Sequence, residues 1–273
     1  MTIEKISVKQ FAKYLSPRPK DWHKGNAGHV LIMGGDYGYF GAVRLAAEAA
    51  LRVGAGLVSV ATRQENALIL NATRPEIMSH GVSGAKDLQP LLDQATVLVL
   101  GPGLGKTKWA KDLFEATLKC NKPMIIDADG LNLLAENPIQ RTNWILTPHP
   151  GEASRLLQTT TTQIQQDREI AAIKLQKKFD GISILKGAGS IIAGPNESLA
   201  ICGAGNPGMA TAGMGDVLSG VIAGLLSQGL LMIIAAKLAV CLHAEAGDLA
   251  AKSGQRGMIA SDLFAPLRVL VNP

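Results

Sequence analysis

Aromatic side chains are scarce in this sequence: three Trp, three Tyr and five Phe, 4% of 273 residues. With so few aromatics the chain shows no stacking platform for single strands. Only Cys120, Cys202 and Cys241 are cysteine. They are dispersed and form no CxxC, which reads as reduced thiols of a cytoplasmic protein rather than a disulfide framework. Charge is modest at 18%, with a net +5 and a pI of about 9.1. No lysine/arginine block occurs, and the cluster Arg18, Lys20 and Lys24 is broken by prolines. Charge alone does not separate anionic small molecules from nucleic acid, but with neither block nor platform no nucleic-acid partner is expected. The opening MTIEKISVKQF lacks an apolar run, so no signal peptide is expected. No histidine pair has zinc-ligand spacing, no G-x-S-x-G elbow is present, and no G-x-x-x-x-G-K-[ST] loop is present. The stretch GGDYGYFG invites a dinucleotide reading, but Met33 stands at the first glycine position. Thr62-Arg63 stands where an acid would follow the next strand. A tight turn with close helix–strand contact fits better, and an NAD(P)-dependent dehydrogenase is disfavoured.

Apolar residues are plentiful instead, 47% of the chain, enough for a sizeable core at this length. Val217–Ala236 approaches the length of a membrane span. Ser227-Gln228-Gly229 interrupts it with a helix stop, so two buried helices and no membrane association are expected. Strand-like runs alternate with helical patterns. The strands expected are His29–Gly35, Gly56–Thr62, Thr96–Gly101, Pro123–Ala128, Asn143–Pro148 and Ile182–Gly187. A helix from Gly41 to Gly54 follows the first, and others lie near Lys108–Lys119, Gly130–Ala135, Gly151–Leu157 and Thr162–Phe179. Strands apolar throughout are covered on both faces, and the alternation implies right-handed crossovers and a mostly parallel sheet. SIIAG and SLAICG, separated by Pro195-Asn196, predict a hairpin. Gly215–Leu270 reads as helices only. No linker, repeat or low-complexity stretch divides residues 1–273. The expectation is one domain, an α/β three-layer sandwich with a mostly parallel central sheet and ligands beyond the carboxyl ends of its strands.

Small residues gather at those ends: PGLG (Pro102–Gly105), DADGLN (Asp127–Asn132), TPHPGE (Thr147–Glu152) and KGAGS (Lys186–Ser190). Lys186 followed by glycines and a hydroxyl can offer charge, backbone N–H groups and an O–H to phosphate. A hairpin turn with an exposed lysine is the plain alternative. GNPGMATAGMGDVLSG places four glycines, Gly205, Gly208, Gly213 and Gly215, ahead of Asp216, the one charge between Glu197 and Lys237. Capping a helix would explain an aspartate there. An anion-binding turn at a helix N-terminus, with a carboxylate to take a proton from an attacking hydroxyl, explains the glycines as well. His149 sits between prolines, as a ligand contact or as an ordinary loop histidine. Glu152 caps the next helix or orders magnesium through water. For Asp127 and Asp129, metal and capping roles both stay open.

Taken together and in this order, GPGLG, DADGLN, TPHPGE, KGAGS and GNPGMATAGMGDVLSG resemble the ADP/ATP-dependent NAD(P)H-hydrate dehydratases, which have a ribokinase-like fold. The likeness runs from about His23-Lys24-Gly25 to Gly257–Leu263. It implies a repair reaction: the hydroxyl of the S hydrate of NADH or NADPH is phosphorylated from ADP or ATP. Phosphate then leaves and the ring double bond returns. Asp216 would be the base. Lys186, Gly187, Ala188, Gly189, Ser190 and Gly215 would bind the nucleotide; Ala42, Gly105, His149 and Asp216 would bind the hydrate. Magnesium would bridge the phosphates, with no ligands assigned to it. Many relatives carry an N-terminal epimerase domain. With about two dozen residues before the first expected strand, the chain resembles the stand-alone form, with the epimerase as a functional partner. Leu231–Ala236 (LMIIAA) is more apolar than the corresponding helix start in relatives. An exposed patch there would mark an interface of a homo-oligomer, a tetramer being suspected.

Two other readings compete. A kinase of the same superfamily, acting on hydroxymethylpyrimidine or a thiazole alcohol, would share Gly215, Asp216 and the sheet. KGAGS and the spelling GMATAGMGD lean towards the dehydratase. A nucleotide-binding sensor would not require a base at position 216.

Overall fold

The computed structural model describes residues 3–272. Its sheet contains β1 (Glu4–Ile6), β2 (His29–Met33), β3 (Leu57–Thr62), β4 (Met78–Gly81), β5 (Val97–Leu100), β6 (Met124–Ile126), β7 (Trp144–Leu146), β8 (Ile182–Leu185), β9 (Ser190–Gly194) and β10 (Ser198–Cys202). Among the described residues these form one sheet in the order β1-β10-β9-β8-β7-β6-β5-β2-β3-β4. Pairing is parallel from β8 through β4 and between β1 and β10, and β9 runs antiparallel to both neighbours. The helices are α1 (Phe40–Arg52), α2 (Gln64–Thr73), α3 (Ala85–Gln94), α4 (Lys108–Leu118), α5 (Ala128–Glu136), α6 (Pro150–Leu157), α7 (Thr161–Gln166), α8 (Arg168–Phe179), α9 (Met214–Ser227), α10 (Met232–Ala250) and α11 (Phe264–Leu270).

Strand periodicity divides the core in two. On β2, Val30 and Ile32 face one cluster, with residues of α1, α9, α10 and α11. Leu31 and Met33 face the other, with residues of α3, α4, α5, α6 and α8. Each central strand is therefore buried on both faces, which is why its sequence is apolar without alternation. The three-layer α/β/α expectation holds.

Three details differ from expectation. β1 precedes His29 and pairs with β10, so the first strand comes much earlier than the sequence pattern suggests. The stretch from residue 64 to 94 forms α2, β4 and α3. β4 is an edge strand of sequence MSHG, and Pro90 lies inside α3. The helix expected at Thr162–Phe179 is broken at Asp167, whose carboxylate accepts from the Ile170 N–H at 3.0 Å and caps α8. The apolar run Val217–Ala236 is divided between α9 and α10, and no helix among the described residues is long and apolar enough to cross a membrane. Of LMIIAA, Leu231 is exposed, whereas Ala235 and Ala236 are fully buried and Ile233 packs towards Gly194.

The seam between α1 and α9 positions the site. A Cβ on Gly220 would strike the Ala46 carbonyl oxygen, and one on Gly224 would lie 2.7 Å from the Ala50 oxygen. Glycines on α9 against alanines on α1 thus let two backbones meet at van der Waals distance.

Candidate functional site

At the carboxyl end of the sheet a cavity of about 760 Å³ is lined by Asp127, His149, Glu152, the segment Lys186–Ser190, the loop 203–210 and the start of α9 with Gly215 and Asp216. Four strand ends and the N-termini of α5, α6 and α9 converge there, the location that doubly wound sheets reserve for ligands.

Lys186 follows β8 directly, and residues 186–189 form the turn into antiparallel β9. The turn is a hairpin, but its lysine is not exposed. Nζ lies 2.7 Å from Asp127 Oδ1 and 3.8 Å from Glu152 Oε2. Asp127 sits at the N-cap of α5 without capping it. Its other oxygen accepts from the Ser219 hydroxyl of α9 at 2.7 Å. Burial opposes both charges. The carboxylates nonetheless hold the Lys186 ammonium above its ordinary value, and Lys186 holds Asp127 below its own. A buried cation with free N–H directions therefore faces the cavity in its charged form.

Asp216 lies in the first turn of α9. The N-cap is Gly213, in the left-handed region at φ +89, and no side chain caps the helix. Asp216 thus does not serve as a cap, which removes the plain reading of that residue. Its carboxyl is pushed up to about 7, first by burial and then by the Asp127 carboxylate, with Lys186 pulling the other way. A carboxylate poised near neutral pH beside an anion-attracting helix end is arranged to take a proton. Gly215 supplies room: a Cβ there would stand 3.2 Å from Lys186 Nζ.

His149 is the N-cap of α6. Its Nδ1 accepts the Gly151 N–H at 3.0 Å, and the His149 backbone N–H donates to Glu152 Oε2 at 2.8 Å. With Nδ1 accepting, the ring proton resides on Nε2, which lies 3.4 Å from Glu152 Oε1. Burial, then Lys186, keeps the ring neutral by lowering its pKa. Glu152 closes a capping box and is pushed up to about 7, first by burial, against the pull of Lys186.

Ala42 and Gly105 lie beside this cavity rather than in its wall. Leu45, one turn after Ala42, touches the Gly213 position, and the Ala42 methyl faces Gly103. Asp129 caps no helix end. Its Oδ2 accepts the Gly105 N–H at 2.9 Å, and Oδ1 accepts from Asn132 at 3.1 Å. Sequence reasoning missed Asp36 and Arg63. Arg63 Nε pairs with Asp36 Oδ1 at 2.7 Å, and its guanidinium stacks on Tyr37 (4.9 Å) and Trp109 (4.2 Å). The Thr62-Arg63 pair that excludes a dinucleotide fingerprint therefore braces the turn after β2. The Thr62 hydroxyl donates to the Gly35 carbonyl at 2.8 Å. The loop 203–210, read from its glycines as part of an anion-binding turn, forms cavity wall. It is tied down by Asp248, which accepts from the Gly205 N–H (2.9 Å) and from Asn206 Nδ2 (3.0 Å).

Fold and cavity together define a ribokinase-like α/β protein. The chain superposes with a TM-score of 0.90 on a ribokinase-like superfamily protein from Enterococcus faecalis, at 30% identity and covering 99% of this chain and 97% of that one. It belongs to the NAD(P)H-hydrate dehydratase family, whose sequence profile matches residues 30–268. It is 56% identical over 260 residues to the bifunctional NAD(P)H-hydrate repair enzyme Nnr of Coxiella burnetii, covering 95% of this chain and 53% of that protein. The chain spans about half the length of such curated relatives. The ADP-dependent (S)-NAD(P)H-hydrate dehydratase of Neisseria meningitidis is similar along most of its length: 36% identity, 96% of this chain and 91% of that protein. The ADP/ATP-dependent NAD(P)H-hydrate dehydratase of Bacillus subtilis, co-crystallized with ATP/Mg2+, superposes with a TM-score of 0.89 at 26% identity, covering 99% and 98% of the two chains. A hydroxyethylthiazole kinase from Pyrococcus horikoshii shares the fold (TM-score 0.66, 12% identity, 97% and 92% covered).

Proposed function

We propose that residues 1–273 act as one ribokinase-like domain that dehydrates the S epimer of hydrated NADH and NADPH at the expense of ADP or ATP. The observation that carries this reading is Asp216, uncapping and raised towards neutral pH, at the N-terminus of α9 within the cavity that also holds Lys186. Lys186 and the N–H groups of Gly187, Ala188, Gly189 and Gly215, with the Ser190 hydroxyl, hold the phosphates. Ala42, Gly105 and His149 hold the hydrated ring. Asp216 takes the proton of the ring hydroxyl as its oxygen attacks the terminal phosphorus, and the bond from that phosphorus to the nucleotide breaks. AMP leaves when ADP is the donor. The new phosphate ester then departs with the C–O electron pair, a ring proton is lost, and the double bond returns. Phosphorylation exchanges hydroxide, a poor leaving group, for a good one.

Magnesium fits the donor set. Asp127 is committed to Lys186 and Ser219 and Asp216 is the proposed base, which leaves Glu152, held in its capping box, as the remaining carboxylate lining the cavity. One or two carboxylates plus phosphates and waters is how this ion is usually held. It would neutralise phosphate charge. Cytoplasmic location, a separate epimerase as functional partner, and assembly as a homo-oligomer, with a tetramer as the proposed form, belong to the same proposal.

The test is incubation of the protein with S-NADHX, magnesium and ADP while following recovery of NADH absorbance. Recovery dependent on nucleotide supports the reading. No recovery, with phosphorylation of a hydroxymethylpyrimidine or thiazole alcohol instead, replaces it by the kinase. Family membership favours the dehydratase, since the kinase likeness is one of fold alone.

A further inference from the structure

In a chain with three tyrosines, two stand on the turn between β2 and α1 and are the most exposed aromatics described: Tyr37 at 58% and Tyr39 at 65%. Exposed rings on a mobile loop would mean little. This turn is held from every side. Gly35 N–H donates to the Pro102 carbonyl at 2.9 Å, Asp36 N–H to the Gly103 carbonyl at 2.6 Å, and Tyr39 N–H to the Asp36 carbonyl at 2.9 Å. Arg63, locked on Asp36, stacks beneath Tyr37 at 4.9 Å, and the Tyr37 hydroxyl donates to Glu65 at 3.2 Å. Rigid aromatic side chains offered to solvent give contact area at low entropic cost.

Their position relative to the reacting end follows from α1. Leu45 touches Gly213, at the start of α9 and three residues from Asp216. Tyr39 precedes Leu45 by six residues, about 9 Å along the helix axis. Between them lies Ala42, and the Tyr39 Cβ and the Ala42 methyl both border the space where a Gly103 side chain would stand. A Cβ on Gly103 would be 2.8 Å from the first and 3.2 Å from the second. A ligand lying along the Ala42–Gly103–Gly105 surface from Asp216 therefore arrives at Tyr39.

We infer that the Tyr37–Tyr39 turn is a stacking platform for the second heteroaromatic ring of a dinucleotide, with Tyr39 as the stacking residue. The inference rests on the dehydratase reading: the hydrated ring occupies the Asp216 end, so the ring remaining for the platform is the adenine, carried out by the pyrophosphate bridge. The ring face, not the hydroxyl, does the work. Tyr39 makes no side-chain cap on α1, so replacing it leaves the helix intact.

The experiment compares two substrates, S-NADHX and the hydrate of reduced nicotinamide mononucleotide, which lacks the adenosine half, with wild type, Tyr39→Ala and Tyr39→Phe. Base–aromatic stacking predicts that Tyr39→Ala raises KM for the dinucleotide on the order of tenfold. KM for the mononucleotide and kcat for both should stay unchanged, and Tyr39→Phe should restore the dinucleotide KM. If wild type turns over S-NADHX but Tyr39→Ala leaves its KM unaltered, or raises both KM values alike, the platform is wrong and the dehydratase reading stands. If wild type turns over neither hydrate, the dehydratase reading fails and the adenine assignment falls with it.

Discussion

Replacing Asp216 by Asn should separate two properties that most substitutions change together. The carboxyl is raised from 3.8 to about 7, so the folded protein binds its proton more tightly than the unfolded chain. Between about pH 4 and pH 7 the folded state holds more protons, and stability falls as pH rises through that window. The full rise corresponds to about 4 kcal/mol. The group is only half-buried on an open cavity, and solvent screening brings this to about 2 kcal/mol. Asp216→Asn, neutral at every pH, should therefore be more stable at pH 8, by about 2 kcal/mol or roughly 4–8 °C in Tm. Below pH 4, where the native carboxyl is protonated in both states, it should gain nothing. Activity should move the other way. A base that works deprotonated is about half available at pH 7 and about one-tenth available at pH 6, so wild-type kcat should fall through an acid limb centred near pH 7. Asn cannot accept the proton, and kcat should drop by about 10²–10⁴ while ADP still binds. Calorimetric melts at pH 4 and 8, alongside recovery of NADH absorbance from pH 5.5 to 8.5, read both effects. A wild-type profile flat across that range, or an Asn variant of undiminished kcat, would refute the assignment of Asp216 as the base.

Other substitutions probe the supporting structure. Lys186→Ala leaves Asp127 buried without its cation, and urea unfolding should show a loss of about 3–5 kcal/mol; nucleotide binding by titration calorimetry should vanish with it. Asp129→Ala releases the Gly105 N–H. The lost charge-assisted hydrogen bond, about 1.5–3 kcal/mol, should appear as a raised KM for the hydrate with the KM for ADP unchanged. Gly220→Ala drives a methyl into the Ala46 carbonyl on α1, and overpacking should cost about 1–3 kcal/mol in a thermal melt, with the far-ultraviolet spectrum retained.

Most of the central sheet could be read because buried parallel strands are short and uniformly apolar, and the signal is local. β5, β6, β7 and β8 fall within the runs that predict them. The parts that escaped depend on partners. β1 is three residues whose strand character comes from pairing with β10, almost two hundred positions later. β4 has no apolar pattern because its outer edge is solvent-facing, and α3 carries a proline that local rules assign to a break. At the site, glycine runs and strand ends located the cavity, including Lys186, His149 and Asp216. The partners of Asp127, Asp129 and Asp36 were not legible, since each turns on a distance. Asp127 meets Lys186 across 59 positions, Asp129 meets Gly105 across 24, and Asp36 meets Arg63 across 27. No spacing rule describes such encounters.

The glycine–alanine seam between α1 and α9 has a consequence for motion. One helix begins with the proposed base in its first turn and the other begins at the surface proposed for the hydrate, and the glycines of α9 sit directly on the Ala46 and Ala50 backbone with only small side chains around them. Neither can slide without opening the seam, so donor and acceptor halves of the reaction ride on one stiff body. Any closing movement during turnover has to come from the lighter pieces around it, above all the 203–213 segment moored to Asp248. Tightening that mooring would slow product escape without altering the chemical step.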